Sequence, residues 1–475
     1  MNKTLKIIWN NIKIILGVCL ICVTFYFGYN YLNKLFRTPD VDYGDSFHNM
    51  PENSVDVIVL GSSHAQYSFS PSFFYEDTGL YSYVLGSAFQ PLKVSYQMLK
   101  EALKTQSPEM VVLEVYTACI DQESVGSDNR YTIALYQMTG DEKYNTIEFI
   151  EDEDKKSEYY NEFLNNHNNW KNLDNISELF DTHDGIDSMF GYIQNNIYLP
   201  VENYWYTNKY EDDLDIELKD EDINALNDIY NLCQEENIQL FLYMVPMDNV
   251  TQTAQSYRHK VWDWAQEHNV QYLDLIEKDE KMDIKSAVHH DGFHMYTNGA
   301  SFVTDTLANY ISENYLFNNH SENTELNEKY TTNLDYLTID ALRSECNAYK
   351  YMNRIVKFPY TVLVKYSGTE EDSTMTDYLN QMGINVDDGQ SSHSILYNGQ
   401  LLASSNNDLE YNLDGHDIKV SDSLIEFDDN TIECDELLTF IVIDKDFSNF
   451  SEKVVTYVNG YPWEYGYDWG YNSTN

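Results

Sequence analysis

Between Val55 and Tyr315 the chain alternates short, continuously apolar runs with helical stretches, and few architectures accept that pattern. The runs are VDVIVL (55–60), YSYVL (81–85), MVVLEV (110–115), QLFLYMV (239–245) and VQYLDLI (270–276). A strand with one wet face alternates apolar and polar residues, whereas a strand covered on both faces need not, and such strands belong to parallel sheets flanked by helices. The intervening stretches are amphipathic. Val94, Met98, Leu99, Ala102 and Leu103 share one helical face, and Ile223, Leu226, Ile229, Tyr230 and Cys233 share another. The expectation is a three-layer α/β/α unit over residues 54–316, with its functional loops at the carboxyl ends of the strands, near the point where strand order reverses.

Residues 120–218 interrupt that rhythm. They are rich in Asn, Asp, Glu and Tyr and include the charge block EDEDKK, so they read as an insertion between the third and fourth strands. An insertion there is placed to act as a lid or substrate-binding segment, or as a solvated decoration. The stretch FNNHSENTELNEKYTTN has almost no apolar periodicity and reads as a linker over 317–333. Beyond it, a helical stretch around Tyr336 to Met352 precedes the apolar runs YTVLVKY, HSILYNG and LLTFIVID, with Gly, Asn and Asp at the breaks. Residues 334–475 are therefore expected to form a smaller, mainly β domain.

At the other end, twenty uncharged residues separate Lys13 from Lys34. As a helix rising ~1.5 Å per residue, this stretch spans a ~30 Å hydrocarbon layer. It lacks the small residues of a cleavage site, so it reads as a single-pass anchor over 14–33, after a short tail (1–13) and before a polar linker (34–53). The chain has 29 Lys and Arg against 78 Asp and Glu, a net charge of -49. Residues 1–37 hold five of the bases and no acid, leaving 24 bases against 78 acids beyond them, a net -54. That polarity argues against nucleic acid as a partner, because its binding rests on neutralising phosphates. Lysines before the span and a large acidic body after it favour the N-terminus inside and the bulk extracytoplasmic; a reversed anchor with a cytoplasmic body is the alternative. The six cysteines form no CxxC pair outside the anchor, and a Cys346–Cys434 bridge is compatible with an external compartment without being deducible.

Chemistry-bearing residues collect in four loops. GSSH (61–64) follows the first run, GSAFQP (86–91) the second and EVYTA (114–118) the third, while HHDGFHMYTNGA (289–300) precedes a final helix. A serine becomes a nucleophile when a base takes its proton, and that base needs an orienting partner. DGFH places Asp291 three residues before His294, so a turn lets the carboxylate hold one imidazole nitrogen while the other faces Ser63. Backbone N–H groups of Ser63 and Gly86 could then hold an oxyanion.

With these loops in this order, residues 50–315 resemble the SGNH (GDSL-type) hydrolases, and the resemblance implies their flavodoxin-like α/β/α fold. In that family a Gly-Asp-Ser block carries the nucleophile, a glycine after the second strand and an asparagine after the third complete the oxyanion hole, and a late DxxH supplies orienter and base. Carried onto this chain, the resemblance makes Ser63 the nucleophile, Gly86 an oxyanion donor, and Asp291 and His294 the remaining pair. Two departures stand out: Ser62 replaces the aspartate, and Glu114, Val115 and Tyr116 stand where the Gly-x-Asn is expected. Gln90 is the substitute candidate for the third donor. GSS joined to an anchor looks like the external, acyl-handling branch of the family, including the protein of teichoic-acid D-alanylation and polysaccharide O-acetyltransfer proteins. That implies an acyl group moved onto or off a cell-surface carbohydrate, with a membrane-bound acyl-export protein as a candidate partner and no cofactor. The -54 body favours a neutral glycan over an anionic one.

Other readings remain beside this one. His64 either contacts substrate or fills a pocket, and His167 with Trp170 either lines an acceptor groove or packs internally. His289, His290, Asp291 and His294 could instead form a metal cluster, although that reading leaves the GSS loop unused. The last domain resembles the interleukin-like EMT inducer (ILEI) module through YTVLVKY, DYLNQMG, HSILYNG and FIVIDKD, which would imply glycan recognition, and the aromatic tail YPWEYGYDWGY could stack on sugars. A surface glycan-binding protein on a degenerate hydrolase scaffold is thus the alternative to an enzyme.

Overall fold

A computed structural model describes residues 3–35, 43–120, 129–160, 188–195, 210–247, 250–276, 294–318, 320–344, 351, 355, 359–368, 377, 379–386, 390–434, 437–455, 457–458 and 461–462. Lys3–Leu35 is one helix, and its stretch Trp9–Leu32 is long and apolar enough to cross a bilayer. A helix of this length and composition near the N-terminus serves as an anchor or as a signal sequence.

Five strands form the central sheet: β1 (Val57–Gly61), β2 (Ser82–Gly86), β3 (Met110–Glu114), β4 (Gln239–Met244) and β5 (Gln271–Asp274). Their order is β2-β1-β3-β4-β5 and every pairing is parallel. This is the flavodoxin-like order, in which the chain first steps outward from β1 to β2 and then reverses to β3. The continuous apolarity of the runs has the expected cause, because every residue of β1, β2 and β3 is buried. Ile58, Leu60, Val111, Leu113 and Leu242 pack on one face with the helices Leu92–Ala102, Asp220–Glu235 and Gln252–His268. Val57, Val59, Val112, Phe241 and Leu273 pack on the other with Pro71–Thr78 and Thr297–Asn314.

The edge at β2 is covered rather than open. Val84 N–H donates to the carbonyl of Phe190 at 2.9 Å, and Ile193 N–H donates to that of Gln66 at 2.8 Å. Gly191 makes the approach feasible: its φ is +82°, and a Cβ there would lie 2.0 Å from the Val84 carbonyl oxygen. Phe190 in turn stacks on Tyr330, with ring centroids 3.7 Å apart. Insertions into a sheet edge are a liability that such coverage removes.

Tyr330 belongs to the stretch expected to be a linker, and here the structure differs. Residues 324–332 form a helix whose Leu326 and Tyr330 are buried, and the Tyr330 hydroxyl donates to the Ser82 carbonyl at 2.5 Å. Within the other expected linker, Tyr43–His48 is helical, and Phe47 packs edge-on to Tyr83 at 5.0 Å. Both stretches carry too few apolar residues for a periodic signal, yet one or two large anchors dock them.

Among the described residues, the C-terminal region contains a two-stranded antiparallel sheet, Tyr457–Val458 with Tyr461–Pro462, and two larger ones. One has the order β14-β13-β6-β7-β8, built from β6 (Thr361–Tyr366), β7 (Ser392–Tyr397), β8 (Gln400–Ser405), β13 (Leu438–Ile443) and β14 (Phe450–Val455). The other is the meander β9 (Leu409–Leu413), β10 (His416–Val420), β11 (Leu424–Phe427) and β12 (Asn430–Glu433). Leu363, Ile395, Ile441 and Ile443 fill the space between the sheets with Ile418, Ile425 and Phe427, while Val362, Val364, Phe440 and Val442 meet Ile339 and Leu342 from the helix Leu334–Ser344. Cys346 and the tail 463–471 lie outside the described residues, so neither the Cys346–Cys434 pairing nor the role of the tail is addressed.

Candidate active site

The carboxyl ends of β1, β2 and β3 adjoin at the reversal point of the sheet. β1 ends on Gly61, which must be a glycine, since a Cβ would meet the Cβ of Glu114 at 2.6 Å and that of Ala65 at 3.0 Å. The chain then turns at once into the short helix Ser63–Ser68. Ser62 is its N-cap, the side-chain oxygen accepting from His64 N–H at 3.2 Å. Ser63 is the first helical residue, so its N–H is one of the amides a helix start leaves unpaired within itself. β2 ends on Gly86, where a Cβ would fall 2.9 Å from Gln66 Cγ and 3.1 Å from the carbonyl oxygens of Gly61 and Ser62. The two loops are thus in contact through their backbones.

His294 reaches this point from the far end of the unit. Its Nε2 lies 2.9 Å from Ser63 Oγ, across 231 residues of sequence. With the imidazole protonated on Nδ1, the serine hydroxyl donates to Nε2, as a nucleophile does to its base. Both residues are half-buried, so the pair is reachable from solvent. The ring is hemmed by aromatics: Tyr67 at 4.7 Å between centroids, and His64 at 5.5 Å. His64 is itself buried and stacks on Tyr116 at 3.8 Å with planes 13° apart. His64 is therefore part of the wall behind the pair, which fits the second of the two readings given to it, a ring that fills a pocket, and leaves it little surface for a substrate.

Gln90 also departs from expectation. Its side-chain amide donates to Ser95 Oγ at 3.0 Å and to the Leu85 carbonyl at 3.4 Å, while its oxygen accepts from Ser87 Oγ at 3.0 Å. Both N–H bonds are spent inside the loop, so Gln90 braces the Gly86 turn and supplies no third oxyanion donor. Thr117 Oγ1 donates to the Gln90 carbonyl at 3.0 Å, tying this turn to the one after β3. The braced turn holds Phe89 at φ +51° with its ring exposed, a backbone region that bulky residues avoid. Asp291, His289, His290, His167 and Trp170 lie outside the described residues.

The residue that sequence reasoning passed over is Glu114. It is buried at the end of β3, where its Oε2 accepts from Ser62 Oγ at 2.8 Å and Ser62 N–H at 3.3 Å, and its Oε1 from Tyr116 N–H at 2.5 Å. Burial, outweighing those three bonds, pushes its carboxyl up to about 7. The available signal was an acid closing an otherwise apolar buried strand, MVVLE.

No family model matches the chain, and no curated protein matches it. Among solved structures, the chain is similar to a GDSL-like lipase from Bacteroides thetaiotaomicron, at 11% identity and a TM-score of 0.31 over 58% of this chain and 98% of that one. It is also similar to the lipase/acylhydrolase from Enterococcus faecalis, at 11% identity and a TM-score of 0.26 over 55% of this chain and 96% of that one. Both likenesses are distant, and the chemistry of the site rests on its own geometry.

Proposed function

We propose that this chain is an SGNH-type serine esterase or O-acyltransferase, anchored by its N-terminal helix with the bulk extracytoplasmic, that acts on acyl groups of cell-envelope polysaccharide. The observation that carries the reading is the 2.9 Å approach of His294 Nε2 to Ser63 Oγ at the switch point of a parallel sheet. Ser63 Oγ attacks the acyl carbonyl while His294 takes its proton. The tetrahedral oxyanion is held by the N–H groups of Ser63 and Gly86, each donor worth about 3 kcal/mol to the rate-limiting barrier. His294 then returns the proton to the departing alkoxide, leaving an acyl-serine. Water or a sugar hydroxyl, deprotonated by the same imidazole, attacks that ester, expels Ser63 and completes hydrolysis or transfer. Asp291, three residues before His294, is assigned to hold the other ring nitrogen.

The acceptor assignment rests on different support: a helix able to anchor the site near the membrane, and an acidic body that disfavours anionic polymers. A membrane-bound acyl-export protein is the partner that transfer would require. A fluorophosphonate probe separates an enzyme from a glycan-binding protein on a degenerate scaffold. The full-length chain in detergent is expected to be labelled at Ser63, and Ser63→Ala and His294→Ala to lose labelling by at least a hundredfold. An inert wild type that still binds neutral glycans on an array would establish the binding protein instead.

A further inference from the structure

We propose that Glu114 is the positioning residue of the nucleophile loop: in its ionised form it holds the residues on both sides of Ser63, Ser62 directly and His64 through it, and thereby aims the hydroxyl at His294. The inference rests on the serine reading of the site and adds a residue that the reading itself does not require.

The geometry is a relay of hydrogen bonds around one residue. His64 N–H donates to Ser62 Oγ at 3.2 Å, and Ser62 Oγ donates to Glu114 Oε2 at 2.8 Å, so the residue after Ser63 is held through the residue before it. Ser62 N–H donates to the same carboxylate oxygen at 3.3 Å, while Tyr116 N–H takes the other at 2.5 Å. Tyr116 carries the ring on which His64 stacks. One carboxylate thus fixes the turn from β1 into the helix Ser63–Ser68 and the wall behind the His294 ring. The close fit of Gly61 against Glu114 Cβ leaves no room for the turn to shift toward β3.

Two backbone N–H groups, of Ser62 and Tyr116, are fixed donors to this group, and as a carboxylate it accepts from the Ser62 hydroxyl as well. A protonated Glu114 would turn its own hydrogen toward Ser62 Oγ, which can accept it beside His64 N–H, so that bond would reverse and the Ser62 hydroxyl would lose this acceptor. The titratable groups that face it are Tyr243 from β4, Tyr272 from β5, Cys119 from the turn after β3, and His64 from the nucleophile helix, with the Arg258–Asp274 ion pair behind them. The single fixed cation of that set is engaged by Asp274, so the charge on Glu114 is held by dipoles. Its carboxyl, raised to about 7 by burial, becomes fully ionised above neutrality.

The test uses the full-length chain in detergent and two readouts: the rate of fluorophosphonate labelling at Ser63 between pH 5 and 9, and hydrogen exchange of residues 61–67. For Glu114→Gln, labelling is expected to fall ten- to a hundredfold, since misplacing a nucleophile by about 1 Å costs a factor of that order. Below neutrality the wild-type rate should fall more steeply with pH than that of the Gln variant, by the one proton that Glu114 binds. Exchange of 61–67 should quicken at least tenfold while the centres of β3 and β4 stay protected. Ser62→Asp added to Glu114→Gln, which moves the carboxylate across the relay, should restore labelling about tenfold. Wild-type rate and a wild-type pH slope in Glu114→Gln, or unchanged exchange of 61–67, would overturn the proposal. A wild type that is never labelled sinks the serine reading alone, and the exchange measurement then decides the role of Glu114. If Glu114→Gln does not fold, Glu114→Asp, one methylene short of Ser62, is held to the same outcomes.

Discussion

Glu114 sets stability against chemistry at a single position. Its folded-state carboxyl titrates at about 7, above the ordinary value of 4.5, so between those values the native state binds more protons than the unfolded chain. Stability from this group is therefore fully present below about 4.5 and is lost as pH rises through about 7, a total of about 3 kcal/mol at 1.36 kcal/mol per pH unit. Urea unfolding of wild type and Glu114→Gln across pH 4.5–8 is expected to give a difference that shifts by roughly this amount in favour of the variant as pH rises. Comparing the two proteins cancels the repulsion among the other acids, which also grows with pH. A difference that stays flat would mean that folding does not raise the Glu114 carboxyl above its unfolded value. The proposed chemistry needs the ionised form, so the site works where the fold is weaker, as strained or desolvated functional groups commonly do. Ser63 and His294 were legible in the sequence because strand ends and a final helix start announce loops. Glu114 was not, because its role depends on β3 lying next to β1, which only the strand order reveals.

Among elements, the segment 188–195 does more than its sequence suggests. It returns from the insertion to seal the edge of β2, and its Ile193 bonds the carbonyl of Gln66, inside the nucleophile helix. Gly191→Ala therefore combines two penalties: a Cβ 2.0 Å from the Val84 oxygen, and a backbone at φ +82° that alanine disfavours. A loss of at least about 2 kcal/mol in unfolding free energy is expected, with the left-handed conformation alone costing roughly 1–2 kcal/mol. A neutral substitution in chemical denaturation would show that this contact is dispensable. The five parallel strands were readable because burial on both faces removes polar residues from them. The meander β9–β12 was not, since its strands are short and polar, with Ile418, Val420, Ile425 and Phe427 buried among half-exposed and exposed residues. Its signals were in the turns: Asp414 and Gly415 take positive φ in the two-residue loop between β9 and β10, and Asp428 does so in the loop between β11 and β12. The docked connectors were invisible for another reason, that Phe47 and Tyr330 are single anchors and periodicity needs several.

At the scale of the whole molecule, the helix Leu334–Ser344 belongs to both units. Leu337 and Ala341 pack with Phe73, Tyr192 and Ala300 of the α/β unit, while Ile339 and Leu342 pack into the β-rich region. Between those faces, the buried Asp340 accepts from Thr297 Oγ1 at 2.5 Å and from Gln194 Nε2 at 2.6 Å. Thr297 opens the helix that follows His294, and Gln194 lies on the segment sealing β2, so one carboxylate from the C-terminal region braces two supports of the Ser63–His294 pair. Units joined by an exposed linker unfold independently, whereas units sharing a buried helix and its polar contacts unfold together. Calorimetry of the full-length chain is thus expected to give one transition for both units. Asp340→Ala leaves the Thr297 hydroxyl and the Gln194 amide without this acceptor, about 1–3 kcal/mol for each group kept buried, and should separate the transition into two. The lower one should carry the α/β unit, and fluorophosphonate labelling should be lost with it, because the seal over β2 and the helix behind His294 loosen first. Two transitions already present in the wild type would mean that the shared helix does not couple the units, and the β-rich region would then be a tethered appendage.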